Sequence, residues 1–228
     1  MSNKLEHLAI IMDGNRRWAE NNGLPKLKGH TEGGKNLKQV GRSVLDKDIS
    51  YLTVFALSTE NLEKRSEREI NHLFSLVERF IESLDELLEK GVKFNTIGNL
   101  DEIPNQTRQV IEKAEKETEG NDSLVLTSAF NYGGRDEITR AAKRIIEEGV
   151  NPEELDEEKF QNFLDTSDLP PVDLLIRTGG RKRISNFLIW QAAYAEYYFT
   201  DTLWPAFDGQ DLQEAIDFFE ARQRNFGA

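Results

Sequence analysis

The chain has 228 residues, a mass of 26.1 kDa and a formal net charge of −12, with 38% hydrophobic and 31% charged residues. That length suits one α/β domain over residues 1–228 better than two small ones, and the acidic balance argues against a general nucleic-acid binder. The absence of cysteine excludes disulfides and thiolate metal sites. No apolar run approaches the roughly 20 residues needed to span a bilayer. Met1-Ser2-Asn3-Lys4 leads straight into a strand-like segment, so no signal peptide and a cytoplasmic location are expected.

The first apolar run, residues 7–12, is continuous rather than alternating, as a parallel strand covered on both faces should be. It ends in Asp13-Gly14-Asn15-Arg16-Arg17-Trp18. A glycine there lets backbone approach a ligand, a following helix offers free N–H groups to an anion, and two arginines can neutralise phosphate oxygens. A carboxylate repels phosphate, so Asp13 fits this setting either as a Mg²⁺ ligand shared with substrate phosphates or as a helix N-cap. Lys26, Lys28 and His30 extend the basic stretch before a helix predicted over 33–46. The strand predicted at 51–57 ends in Ser58-Thr59-Glu60-Asn61, followed by Lys64 and Arg65.

The longest helical pattern covers 66–90, with Ile70, Leu73, Phe74, Val77, Phe80, Ile81, Leu84 and Leu88 on one face and Gly91 closing it. Strands are predicted at 92–97 and 123–130, with a helix at 105–118 between them. Asn131-Tyr132-Gly133-Gly134-Arg135 reads as a tight turn into a helix at 135–148. The acid- and proline-rich stretch 151–171 reads as a short helix and a loop. The strand at 172–177 ends in Arg177-Thr178-Gly179-Gly180-Arg181-Lys182-Arg183-Ile184-Ser185-Asn186, a second anion cradle in which Ser185 is expected to cap a helix at 186–193. A strand at 197–200 and a helix at 210–224 complete the pattern. The alternation implies a mostly parallel sheet of about six strands with right-handed crossovers, whose ligands bind at the carboxyl ends of the strands.

Two phosphate cradles, one carboxylate suited to a metal and no evident nucleophile suggest a reaction between two phosphorylated substrates. There is no GxxxxGK[ST] loop and no complete GxGxxG, which disfavours a P-loop or dinucleotide-binding domain. His7, His30 and His72 are too scattered for a zinc site; His7 reads as structural and His72 as surface.

Five blocks carry a resemblance: HLAIIMDGNRRWA from His7, Gly29-His30, FALSTEN from Phe55, NYGGRDEI from Asn131, and DLLIRTGG followed by RISNFLIWQAAYAEYYFTDTLWP from Asp173. In order and content they resemble the cis-prenyltransferase family of the undecaprenyl diphosphate synthase type. The resemblance implies an α/β fold with a hydrophobic tunnel and a homodimer. It also implies Mg²⁺-dependent condensation of isopentenyl diphosphate with an allylic diphosphate such as farnesyl diphosphate. Peripheral membrane contact during product release is a further expectation. By motif match, Asp13 would hold Mg²⁺, with Glu196 completing its environment. Gly14, Asn15, Arg16, Arg17, Trp18, Lys26 and His30 would line the allylic diphosphate pocket. Arg177, Arg183 and Ser185 would bind isopentenyl diphosphate, and Ser58 and Asn61 would lie near the proton that is removed. Arg65, in preference to Lys64, would be the loop cation.

Several residues depart from the family pattern. Lys26 stands where arginine is usual, Leu62 where an aromatic residue is common, and Arg181 where glutamate is common. Arg181 is expected to join the diphosphate cradle, the alternative being that it points outward or towards a dimer partner. The C-terminal Arg224-Asn225-Phe226-Gly227 is shifted, and Ala56 and Leu124 fall near tunnel positions. The competing reading is a non-catalytic partner subunit, a class that typically loses the metal-binding aspartate and a cradle; both are retained here.

Overall fold

Six parallel strands form one sheet in the order β3-β4-β2-β1-β5-β6. They are β1 (His7–Ile11), β2 (Tyr51–Ser58), β3 (Val92–Ile97), β4 (Leu124–Tyr132), β5 (Leu174–Arg177) and β6 (Glu196–Phe199). The computed structural model describes residues 4–64, 66–82 and 88–222. Successive side chains of a strand point to opposite faces, so a strand buried on both faces must be apolar throughout. β1 demonstrates this: Leu8 and Ile10 enter one core cluster, Ala9 and Ile11 the other, and all five residues of the strand are buried. Leu174, Leu175 and Ile176 of β5 divide in the same way, in register with Leu8, Ala9 and Ile10.

The helices are α1 (Asn15–Asn21), α2 (Lys26–Leu45), α3 (Thr59–Lys64), α4 (Glu67–Glu82), α5 (Asn105–Thr118), α6 (Gly134–Glu147), α7 (Glu157–Gln161) and α8 (Gly209–Glu220). The larger core includes Val40 and Val44 of α2, Leu73 and Phe74 of α4, Ile111 of α5, and Leu212 and Phe219 of α8. The pattern predicted over 66–90 thus places Leu73, Phe74 and Ile81 in the core with Ile70, Val77 and Leu88 packed against it. Residues 83–87, and the side chain of Phe80, lie outside what is described. α8 begins in a reciprocal cap: the Asp208 carboxylate accepts from the Gln210 and Asp211 N–H groups, and Asp211 accepts from the Asp208 N–H. Such a cap contributes about 1 kcal/mol.

Two sequence expectations need correction. α2 begins at Lys26, not 33, because Gly29, Gly33 and Gly34 weaken the local helix signal. Two of those glycines are required by packing. A Cβ at Gly29 would lie 1.9 Å from the Asn15 carbonyl oxygen, and one at Gly33 would lie 2.3 Å from Asn15 Oδ1. The helix expected at 186–193 is instead a series of turns. Positive φ angles at Ser185 (51°), Asn186 (64°) and Leu188 (44°) are incompatible with a right-handed helix. These turns nevertheless bury Phe187, Leu188 and Ala192 against the smaller face of the sheet. Phe187 stacks on Phe55 at 4.5 Å between ring centroids and meets Tyr132 edge-on at 6.2 Å.

Candidate active site

The carboxyl ends of β1, β2 and β5 open into a cleft of about 870 Å³. Beyond β1 the chain turns through Asp13 and enters α1 by way of Gly14, whose φ of 116° is a glycine conformation. Gly14 is the N-cap of α1 and no side chain caps that end, so the N-cap reading of Asp13 does not hold. The Asp13 carboxylate faces two arginines instead. Arg17 Nη2 donates to Oδ1 at 3.2 Å and Arg177 Nη2 donates to Oδ2 at 2.8 Å. The Asp13 carbonyl accepts from Thr178 Oγ1 at 2.7 Å and from the Trp204 N–H at 3.1 Å, which fixes the backbone beneath it.

Arg177, at the end of β5, is only 5% exposed. Its Nη1 donates to Ser185 Oγ at 2.7 Å and to the Arg183 carbonyl at 2.5 Å. One buried guanidinium therefore connects the Asp13 cradle with the loop bearing Arg183 and Ser185. Arg177 is buried while the Asp13 carboxylate is 30% exposed, so the carboxylate end of this connection stays open to the cleft. The expected role of Ser185 as a helix cap is corrected accordingly: its hydroxyl serves Arg177, and no helix follows. Gly179 has a φ of 79°, and a Cβ there would lie 2.6 Å from Arg17 Nη2, so glycine permits the close approach of the two cradles.

Asn15, Arg16 and His30 line the same cleft. His30 Nε2 lies 3.5 Å from Glu69 Oε1, and Arg16 Nη1 lies 4.0 Å from that oxygen. Asn15 Oδ1 is buried without a hydrogen-bond partner. On the β2 side, Ser58 Oγ accepts from the Asn61 N–H at 3.2 Å, and Glu60 accepts from Asn186 Nδ2 at 3.0 Å. Burial pushes the Glu60 carboxyl up, but bonds from its own N–H, Asn186, Ser58 and Thr59 outweigh that and hold it below the usual range. A second, mostly apolar cavity of about 100 Å³ lies between α2, α4 and the sheet. Leu37, Val54, Leu76 and Phe130 help to line it, and Met12, Asn15, His30 and Ala56 are shared with the polar cleft.

The cleft thus gathers Asp13, Gly14, Asn15, Arg16, Arg17 and His30 with Ser58, Asn61, Arg177, Arg183 and Ser185. Several expected positions stand apart. Trp18 and Lys26 do not line it; Lys26 is exposed and 3.3 Å from Glu20. Glu196 opens β6 opposite Leu174, whereas Asp13 lies beyond the carboxyl end of β1, so one chain does not bring the two carboxylates together. Arg181 is exposed and, with Lys182, lies outside the cleft lining, so Arg183 is the member of that run that reaches it. Leu124 is buried at the start of β4 and does not itself line the apolar cavity, although Leu126 on the same strand face does, and Leu62 packs against the core. Arg65, the Lys64 side chain and residues 224–227 lie outside the described residues. Glu60 and Asn186, inside the motifs FALSTEN and RISNF, also line the cleft, and no local pattern in the sequence marks them. His7 is structural, buried between Pro170 O and Thr53 Oγ1, each 2.8 Å away.

The undecaprenyl diphosphate synthase family model (Prenyltransf) matches residues 11–227. The chain belongs to this family. It is 45% identical to an isoprenyl transferase of Staphylococcus haemolyticus over 232 positions, covering 100% of this chain and 90% of that one. An isoprenyl transferase of Heliobacterium mobile is 46% identical, over 97% of this chain and 87% of the relative. Among solved structures, lavandulyl diphosphate synthase from Lavandula x intermedia, in complex with dimethylallyl diphosphate, aligns with a TM-score of 0.95 at 35% identity, covering 99% of each chain. A probable undecaprenyl diphosphate synthase from Campylobacter jejuni aligns with a TM-score of 0.84 at 37% identity over 100% of both chains. These family members share the parallel six-stranded fold.

Proposed function

We propose that the chain is a cis-prenyltransferase that joins isopentenyl diphosphate to an allylic diphosphate, such as farnesyl diphosphate, making a cis-polyprenyl diphosphate and releasing diphosphate. The observation that carries this reading is the union of two arginine-lined cradles through buried Arg177 in a cleft that adjoins an apolar cavity. Dimethylallyl diphosphate, bound by the lavender relative, is itself an allylic diphosphate. The retained Asp13, Arg177 and Arg183 weigh against a non-catalytic partner subunit.

In this reading the α1 end of the cleft, with Gly14, Asn15, Arg16, Arg17 and His30, takes the allylic diphosphate, and Arg177, Arg183 and Ser185 take isopentenyl diphosphate. The arginines stabilise charge that builds on the departing diphosphate. Ser58 and Asn61, which line the same cleft, would stand near the isopentenyl carbon that gives up a proton once the carbon–carbon bond has formed. The apolar cavity beside α4 would receive the start of the growing hydrocarbon chain. Among the described residues no three His, Cys, Asp or Glu side chains cluster to hold a metal. One carboxylate within an arginine-lined diphosphate site still suits Mg²⁺, which binds through one or two carboxylates and substrate oxygens, and Asp13 is the residue to hold it. When bound, the metal adds positive charge beside the leaving diphosphate.

Two copies acting together are also proposed. Among the described residues β6 pairs only with β5, and Tyr194 just before it is 78% exposed. A single-chain mass in sedimentation at micromolar concentration would count against the dimer. The activity is tested by incubating the purified chain with farnesyl diphosphate, labelled isopentenyl diphosphate and Mg²⁺. Labelled product longer than the allylic primer is expected; none at any Mg²⁺ concentration would overturn the reading.

A further inference from the structure

We infer that Asn186 is a positioning residue that fastens the loop bearing Arg183 and Ser185 to the ends of β2 and β4, setting the geometry of the second cradle. The inference rests on the assignment of that cradle to isopentenyl diphosphate. The segment from Thr178 to Ala195 contains neither helix nor strand, and five of its residues have left-handed backbone: Gly179, Gly180, Ser185, Asn186 and Leu188. Such a backbone keeps one shape only when its surroundings determine it.

Those surroundings converge on Asn186. Its Oδ1 accepts from the Arg135 N–H at 2.9 Å, at the start of α6, and its backbone oxygen accepts from the Gly134 N–H at 2.7 Å. Its Nδ2 donates to Glu60 Oε1 at 3.0 Å, at the start of α3. The site is shaped for this side chain. A Cβ at Gly133 would lie 2.7 Å from Asn186 Nδ2 and 2.9 Å from Thr59 Oγ1, so bare backbone lets the amide cross between the two strand ends. An ionised Glu60 makes the amide bond to it charge-assisted. Asparagine also tolerates a positive φ better than most residues. The loop is therefore held from inside by Arg177, through the Arg183 carbonyl and Ser185 Oγ, and from outside by Asn186. Both polar ends of the Asn186 side chain are engaged in holding the loop, which makes it a positioning residue and not a substrate ligand.

Three forms of equal net charge test this: the unaltered chain, Asn186→Gly, and the double substitution Asn186→Asp with Glu60→Gln. The glycine form keeps the left-handed backbone and loses both side-chain bonds. The double form reverses donor and acceptor across the Glu60 contact while keeping an acceptor for the Arg135 N–H. The KM for isopentenyl diphosphate should rise at least about tenfold in Asn186→Gly and return to within about threefold in the double form. The KM for the allylic substrate should stay within about threefold throughout. An unchanged isopentenyl diphosphate KM in Asn186→Gly, an equal rise in both KM values, or no recovery in the double form would overturn the inference. Calorimetric titration of isopentenyl diphosphate alone gives the same ranking without turnover. An unaltered chain that binds it yet makes no product would defeat the proposed reaction, while the ranking of the three affinities still decides the role of Asn186.

Discussion

At the scale of single residues, the site is governed by who partners whom. Asp13 is bracketed by Arg17 and Arg177, which keeps a carboxylate in a cleft otherwise suited to anions. Asp13→Ala should lower turnover about 10²–10³-fold, the usual loss when one charge-stabilising group is removed, with an unchanged circular dichroism spectrum. Turnover near the original level at saturating Mg²⁺ would exclude the proposed role. Arg181 makes the opposite case. Its charge and its place in the basic run suggest a ligand, but the side chain is exposed and outside the cleft lining. Exposed charges are screened by water and salt, so Arg181→Glu should change the KM for isopentenyl diphosphate by less than about threefold. A tenfold rise that weakens with added salt would place Arg181 in the cradle after all. Sequence pattern supplies the identity of such side chains but not their direction, and direction separates Arg181 from Arg183.

At the scale of elements, the apolar runs translated well and the irregular segments poorly. The continuous apolar runs of β1 and β5 are legible because burial on both faces leaves no alternative composition, whereas β3 alternates and β6 is half-buried. The start of α2 was hidden by glycines whose purpose, the close approach of Asn15, exists only in three dimensions. The turns after Ser185 were misread because their apolar spacing resembles a helix, while the left-handed residues that break it carry no strong local signature. Glu60 and Asn186 were illegible for a related reason: they meet each other across 126 positions of sequence. What holds the irregular segment down is Phe187, which is fully buried between Phe55 and Tyr132. Phe187→Ala should cost about 3–5 kcal/mol in urea unfolding, as a large buried aromatic does. A loss below about 1 kcal/mol would mean that the segment closes over the gap or does not depend on this anchor.

At the scale of the whole molecule, charge links distant parts of the fold. Asp165, in the connection between α7 and β5, receives Arg140 at 2.5 and 2.7 Å and Arg144 at 3.1 Å, and it also accepts from the Gly98 N–H after β3. Burial alone would push its carboxyl up; bonds and charge from Arg140, then Arg144, outweigh that and hold it below 3.8. A carboxyl depressed in the folded state stabilises it above the unfolded value and loses that contribution as pH falls through the folded value. Asp165→Asn should therefore be less stable at neutral pH, and the gap should close as the pH is taken from about 4 downward. A gap that stays constant from neutral pH to about 3 would show that ionisation of this carboxylate contributes nothing.

The Asp13–Arg177 pair also bears on how strongly salt should affect substrate capture. Because the most buried guanidinium of the cleft already has an anionic neighbour, a diphosphate arriving there would exchange partners with a resident carboxylate and would not meet a bare cation. Fewer ions are then displaced on binding than the tally of arginines suggests. The enzyme should keep its grip on substrate across a wider range of ionic strength than an open cluster of arginines would.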